Sequence, residues 1–285
     1  MIDLHTHTTA SDGRCSPQQL VARASAAGVT VLSVTDHDTV DANEAAAASC
    51  AEAGITFVTG IEITAVSDES DVHVLGYFID PGAPGLHRFL TEQRQRRIDR
   101  IGRIIAQLQE FGMKLDAGAI LQPVIDRPGK SIGRPAIARA LVDAGHVKTT
   151  NEAFDMWLAR GRPGFIAREG ASPQTVFEQI HASGGVASLA HPGLLRRDEW
   201  IAGFVASGLD AIEAYHPSHD EMQRRAYRSL ASRLGLCVSG GSDFHGDESH
   251  GSPHPGAASL PEDAFDQLRA RAAIRATASS AATSS

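Results

Sequence analysis

Residues able to hold a divalent cation recur along the whole chain, and most stand where a short apolar run ends. In His5-Thr6-His7 the imidazoles are two residues apart, which puts them on one face of an extended segment and suits a shared ion. Asp12 follows closely. Asp36-His37-Asp38 closes the run 29–34, Glu62 closes 55–63, and His73 lies within 72–79. His191 closes 186–190, Glu213 and His216 end 211–214, and Asp243 and His245 follow 236–239. A single histidine at such a place is ordinarily a packing or surface residue. His87, His146, His181, His219, His250 and His254 are read that way. The conjunction is different: burying so many carboxylates without partners is costly, so the set points to bound cations. Imidazole and carboxylate without thiolate suit Mn²⁺, Fe²⁺ or Zn²⁺ rather than a cysteine-rich structural zinc. Two close ions can activate a shared water and neutralise charge on a phosphoryl group. Direct attack of metal-bound hydroxide on phosphorus then needs no serine or cysteine nucleophile, and no GxSxG or Walker motif is present.

These residues need a scaffold that brings distant segments together. Ser16-Pro17 reads as a cap followed by the first helical position, and Gly28 as the stop of a helix over 17–27. The apolar runs 29–34, 55–63 and 72–79 read as strands, with a helix over 42–53. From about 86 to 164 the sequence becomes charged, with apolar residues at helical spacing and no strand pattern. Strand and helix alternate again from Ser172-Pro173 onward, ending in a helix near 261–271 and a low-complexity tail, ATASSAATSS, read as frayed. The chain thus divides into barrel segments 1–99 and 166–285 around a helical insertion, 100–165. Strand–helix units of this kind indicate an α/β barrel or a doubly wound sheet, and in a barrel the C-terminal strand ends converge on one mouth.

Composition narrows the function. With 34 acidic against 26 basic residues the net charge is −8, which argues against coating long nucleic acid and leaves any phosphate contact to local arginines. Three cysteines without CxxC spacing fit a reducing compartment, and no leader or membrane-length apolar stretch is read. A cytoplasmic protein with no membrane partner is expected.

The segments HTHTTASDG, TDHDT, GIEIT, DVHVLGY, LAHPG and SDFH, in order from residue 2 to 245, resemble the motifs of the PHP (polymerase and histidinol phosphatase) superfamily. The resemblance implies a distorted (β/α)7 barrel with a helical insertion. It is similar to stand-alone phosphoesterases that include 3′,5′-nucleoside bisphosphate phosphatases and 5′→3′ exoribonucleases on short RNA. It also implies one ion held by His5, His7, Glu62 and Asp243, and another by Asp12, His37, His191 and His245. A third ion in some relatives uses Glu62, His73 and a histidine in the segment GRPHxAR. Here that segment reads Gly133-Arg134-Pro135-Ala136-Ile137-Ala138-Arg139, so Ala136 predicts a weak or lost third site and two divalent ions, with Mn²⁺ first.

Asp243 and His216 are the catalytic candidates, His216 as general acid or phosphate ligand. Asp36 and Asp38, flanking His37, are read as orienting imidazoles. Arg134 is read as binding a second phosphate, with Arg168 and Arg196 as weaker choices, and the run Arg94-Gln95-Arg96-Arg97 as a solvated helix face. The expected partner is a small bisphosphonucleotide such as pAp, converted to AMP and phosphate. The alternatives are exonucleolytic cleavage of short RNA, a non-catalytic metal-binding accessory module, and an amidohydrolase-like C–N hydrolase.

Overall fold

The computed structural model describes residues 1–126, 132–246 and 252–282; His250 lies outside them. The chain runs β1 (Ile2–Asp3), α1 (Pro17–Ala26), β2 (Val31–Val34), α2 (Asn43–Ala53), β3 (Thr56–Ser67) and β4 (Ser70–Tyr77). Four α-helices follow among the described residues: α3 (Pro84–Glu110), α4 (Ala117–Ile125), α5 (Arg134–Asp143) and α6 (Thr150–Ala153), the last running into a π-helical turn at Phe154–Leu158. The second half runs α7 (Pro173–Ala182), β5 (Val186–Leu189), α8 (Pro192–Leu195), α9 (Ile201–Ala206), β6 (Ala211–Tyr215), α10 (Glu221–Leu234), β7 (Cys237–Gly240) and α11 (Glu262–Ala282).

Local chemistry sets the boundaries. Ser16 accepts from the Gln19 N–H while the Gln19 side chain returns to the Ser16 N–H, a reciprocal cap with Pro17 in the first turn. The helix stops where Gly28 takes φ 80°. α11 continues to Ala282, past the point where the tail was expected to fray. Its alanines explain this, since alanine has the highest helix propensity.

The seven strands form one sheet in sequence order. The Leu4 N–H donates to the Gly240 carbonyl at 3.2 Å, and a parallel bridge joins Thr6 to Phe244, which brings the first strand against the last and nearly closes a barrel. All pairings are parallel except those of β4, which runs antiparallel to both β3 and β5. The reason is local. Asp68 and Glu69, both at positive φ, make a two-residue turn, too short for the crossover that a parallel pair requires.

The insertion has its own core. Leu86 and Leu90, at the start of α3, pack into the barrel with Ile63, Val74 and Phe177. Ile101, Ile104, Ile105 and Leu108 of the same helix pack instead with Ile137, Leu141 and Leu158. One unbroken helix therefore crosses the expected boundary at residue 100, and the change of core falls between Leu90 and Ile98. On the return it falls between Ile166 and Ala171.

Candidate metal centre

The strand ends bring the expected donors into one cluster. His5 Nε2 lies 3.3 Å from Glu62 Oε2 and 3.2 Å from Asp243 Oδ1. His7 Nε2 lies 3.2 and 3.3 Å from the same two oxygens. These four residues are the quartet that the resemblance implied. The second quartet is sorted differently. Asp12 gathers with His37, His245 and His7, and its nearest imidazole nitrogen is His245 Nε2 at 3.3 Å. His191 stands with Glu62 instead, its Nε2 3.3 Å from Oε1, the oxygen that also lies 2.9 Å from His73 Nδ1. Glu62 thus faces two directions, Oε2 toward His5, His7 and His37 and Oε1 toward His73 and His191. The reversal of β4 allows this, because His73 pairs with Thr64, just beyond Glu62 on β3.

The contacts have the geometry of co-ligands. His7 Nε2, His37 Nδ1 and His73 Nδ1 are buried and make no directed hydrogen bond among the described residues, although carboxylate oxygens lie 2.9–3.2 Å away. Nitrogen lone pairs and carboxylate oxygens that crowd together without aligning for proton sharing are what a cation between them requires. The donor set is nitrogen and oxygen only, and so fits Mn²⁺, Fe²⁺ or Zn²⁺.

The electrostatics agree. Burial pushes Glu62 and Asp243 up, but the surrounding imidazoles outweigh it and hold both carboxyls well below the usual range. Burial pulls His7 down, yet the Asp243 and Glu62 carboxylates raise it to about 10. At His37 burial prevails and lowers it to about 3.

A lower layer of buried acids holds the donor-bearing loops. Asp3 accepts from the Ser242 N–H at 2.8 Å, the Ser242 hydroxyl at 2.7 Å and the Gly256 N–H at 2.6 Å, fixing the approach to Asp243. Asp36 accepts from the Thr8 N–H and hydroxyl and the Ser11 hydroxyl at 2.6–2.7 Å, which shapes the turn carrying Asp12. Asp38 accepts from the Thr64 N–H and pairs with Arg97. Asp36 and Asp38 therefore organise backbone and cap contacts rather than imidazoles. Among the buried acids around the donors, Glu213 does hold an imidazole, lying 2.9 Å from His5 Nδ1. Three ion-facing loops also carry residues in the left-handed region, Asp38 at φ 53°, His191 at 27° and Asp243 at 52°, which costs energy unless such bonds hold them.

Above the donors lies a cavity of about 760 Å³ between barrel and cap. Asp12, His37, His73 and His245 line its floor. Arg134, in the first turn of α5, lines the same cavity, as do Arg97, Arg100 and Arg168. Its guanidinium lies over the Phe154 and Phe165 rings and donates one hydrogen bond to the Leu158 carbonyl, 3.2 Å away. The solvated reading of Arg97 fails: it is largely buried and belongs to the cavity wall. Gln93, Arg97 and Arg100 recur at helical spacing, a polar stripe that could have signalled a lined cavity. Arg168 pairs with Asp71 at 2.7 Å. His216 is buried, 3.3 Å from Asp243 Oδ2, and is not among the residues lining the cavity.

The PHP domain family matches residues 3–127. The 3′,5′-nucleoside bisphosphate phosphatase of Chromobacterium violaceum is 36% identical over 253 residues, 86% of this chain and 87% of its own. The 5′-3′ exoribonuclease Rnm of Salmonella typhimurium is 36% identical over 252 residues, 85% of this chain and 84% of its own. A Chromobacterium violaceum structure described as an amidohydrolase, with sulfate bound and no metal, is 33% identical, with a TM-score of 0.78 over 95% of this chain and 96% of that one. Likeness of this extent, on a seven-stranded barrel whose mouth gathers this donor set, means that the chain belongs to the PHP family of phosphoesterases.

Proposed function

We propose that the protein is a metal-dependent phosphomonoesterase that removes the 3′-phosphate of a 3′,5′-bisphosphonucleotide, converting pAp to AMP and phosphate. The observation that carries this reading is one cavity lined both by Arg97, Arg100, Arg134 and Arg168 and by the imidazoles and carboxylate of His37, His73, His245 and Asp12. A substrate with one phosphate at the floor and a second at the wall matches that charge distribution. The volume falls within the roughly 300–1,000 Å³ typical of small-molecule sites.

His5, His7, Glu62 and Asp243, whose donor atoms crowd together, would hold one divalent ion, and Asp12, His37 and His245 a second, with Mn²⁺ the first choice and Fe²⁺ or Zn²⁺ the alternatives. A third position, at Glu62 Oε1, His73 and His191, is weaker because Ala136 offers no donor. Bound ions supply Lewis-acid activation of water and neutralise charge on the phosphoryl group. The chain's own residues do the rest. Arg134 presents a planar fork to the 5′-phosphate, its ring contacts with Phe154 and Phe165 fixing the plane. Arg97 and Arg168 add positive charge to the wall while anchored to Asp38 and Asp71. His216, against Asp243, sets the position of that carboxylate instead of meeting substrate.

Phosphate release from pAp by purified Mn²⁺-loaded protein is the test, run beside a 5′-phosphorylated pentaribonucleotide. Fast release from pAp with an intact oligomer supports the bisphosphatase. Stepwise loss of mononucleotides with pAp untouched assigns the same chemistry to short RNA instead, as the name of the Salmonella relative would suggest.

A further inference from the structure

Glu213 is fully buried within β6, and its two oxygens serve two different ion-facing residues. Oε1 lies 2.9 Å from His5 Nδ1, and Oε2 accepts the His191 N–H at 2.7 Å. An ionised carboxylate only accepts, so the proton it shares with His5 belongs to Nδ1. That leaves the Nε2 lone pair directed at the space bounded by Glu62 Oε2 and Asp243 Oδ1. The second bond restrains a residue that needs it, because His191 sits at φ 27°, ψ 59°, sparsely populated for a side chain of its size. A register shift in β6 between Glu213 and Tyr215 marks where the strand turns, and such bulges re-aim side chains.

We propose that Glu213 is a positioning residue for the metal centre: it fixes the His5 tautomer and the His191 backbone together, and so links the two directions in which Glu62 faces. The proposal rests on the phosphoesterase reading for its ions but not for its substrate. Glutamine cannot replace it. An amide has one oxygen and one NH₂, so whichever way it faces, one of the two N–H donors meets another donor. Either His5 must move its proton to Nε2 and lose the lone pair, or the His191 N–H is left unsatisfied.

Isothermal titration of Mn²⁺ into metal-free Glu213→Gln should show affinity reduced about 10- to 100-fold, the usual effect of losing a carboxylate behind a ligating histidine. At saturating Mn²⁺, kcat should fall with KM little changed, since Glu213 does not line the cavity. Wild-type Mn²⁺ affinity in the variant overturns the proposal. If the variant does not fold, ¹⁵N-histidine NMR of the Zn²⁺-loaded wild type decides: His5 protonated at Nδ1 is expected, and protonation at Nε2 overturns it. Failure of pAp hydrolysis with these metal results intact would count against the substrate alone.

Discussion

Asp38 on the barrel and Arg97 on the cap helix form a largely buried ion pair that ties the His37 loop to α3. The same carboxylate accepts the Thr64 N–H at 3.1 Å, so a residue at positive φ is held from two sides. Arg97→Ala leaves that acid without its cation. Denaturant unfolding should show a loss of about 3 kcal/mol, the cost of breaking a buried pair from one side. An unchanged midpoint would mean that Asp38 finds solvent instead.

Arg134→Ala should separate recognition from chemistry. Losing one charge-assisted contact to a phosphate is worth about 2 kcal/mol, roughly 30-fold in KM. That rise is expected for pAp and not for a 3′-mononucleotide lacking the 5′-phosphate. Equal rises for both substrates would remove Arg134 from second-phosphate binding.

Glu62→Gln replaces the carboxylate that faces both directions. Bound metal, measured by elemental analysis after gel filtration, should fall sharply, with activity lower by on the order of 100-fold or more. Full metal content with low activity would instead place Glu62 in the chemistry rather than the coordination.

Ala136→His adds an imidazole to the cavity that His73 also lines. The metal-to-protein ratio should rise by about one if the position at Glu62 Oε1 lacks only a donor. An unchanged ratio would show that the cap holds residue 136 too far away.

A pH effect is expected far from the ions. Burial pushes the Asp210 carboxyl up, but hydrogen bonds from His181, Arg275 and the Ala187 N–H outweigh it and hold it below the usual value. Its folded pKa is depressed, so its contribution is complete above the unfolded value, about 3.9, and disappears as pH falls through the folded one. Asp210→Asn should therefore lower Tm clearly at pH 7, by about 3 kcal/mol in stability, with the gap to wild type narrowing below about pH 4. A gap that stays constant to low pH would assign the loss to packing.

The donors were legible because their chemistry is local. HTH shows its shared face by period two, and apolar runs ending in imidazoles or acids betray a common mouth. What escaped depends on distant packing. Nothing within 72–79 tells that β4 runs against its neighbours and delivers His73 beside Glu62. His191, expected beside Asp12, His37 and His245, lies nearest Glu62, since strand order and register, not spacing, decide which carboxylate oxygen it meets. Glu213 was visible at a strand end, but its role depends on the position of His5, 208 residues away. Arg97 read as solvated because a helix seen alone does not reveal that its charged side faces a cavity.

The separate apolar interior of residues between Ile98 and Ile166 has an evolutionary consequence. A module that folds around its own side chains can drift, shorten or be exchanged while the hydrolytic apparatus beneath stays constant.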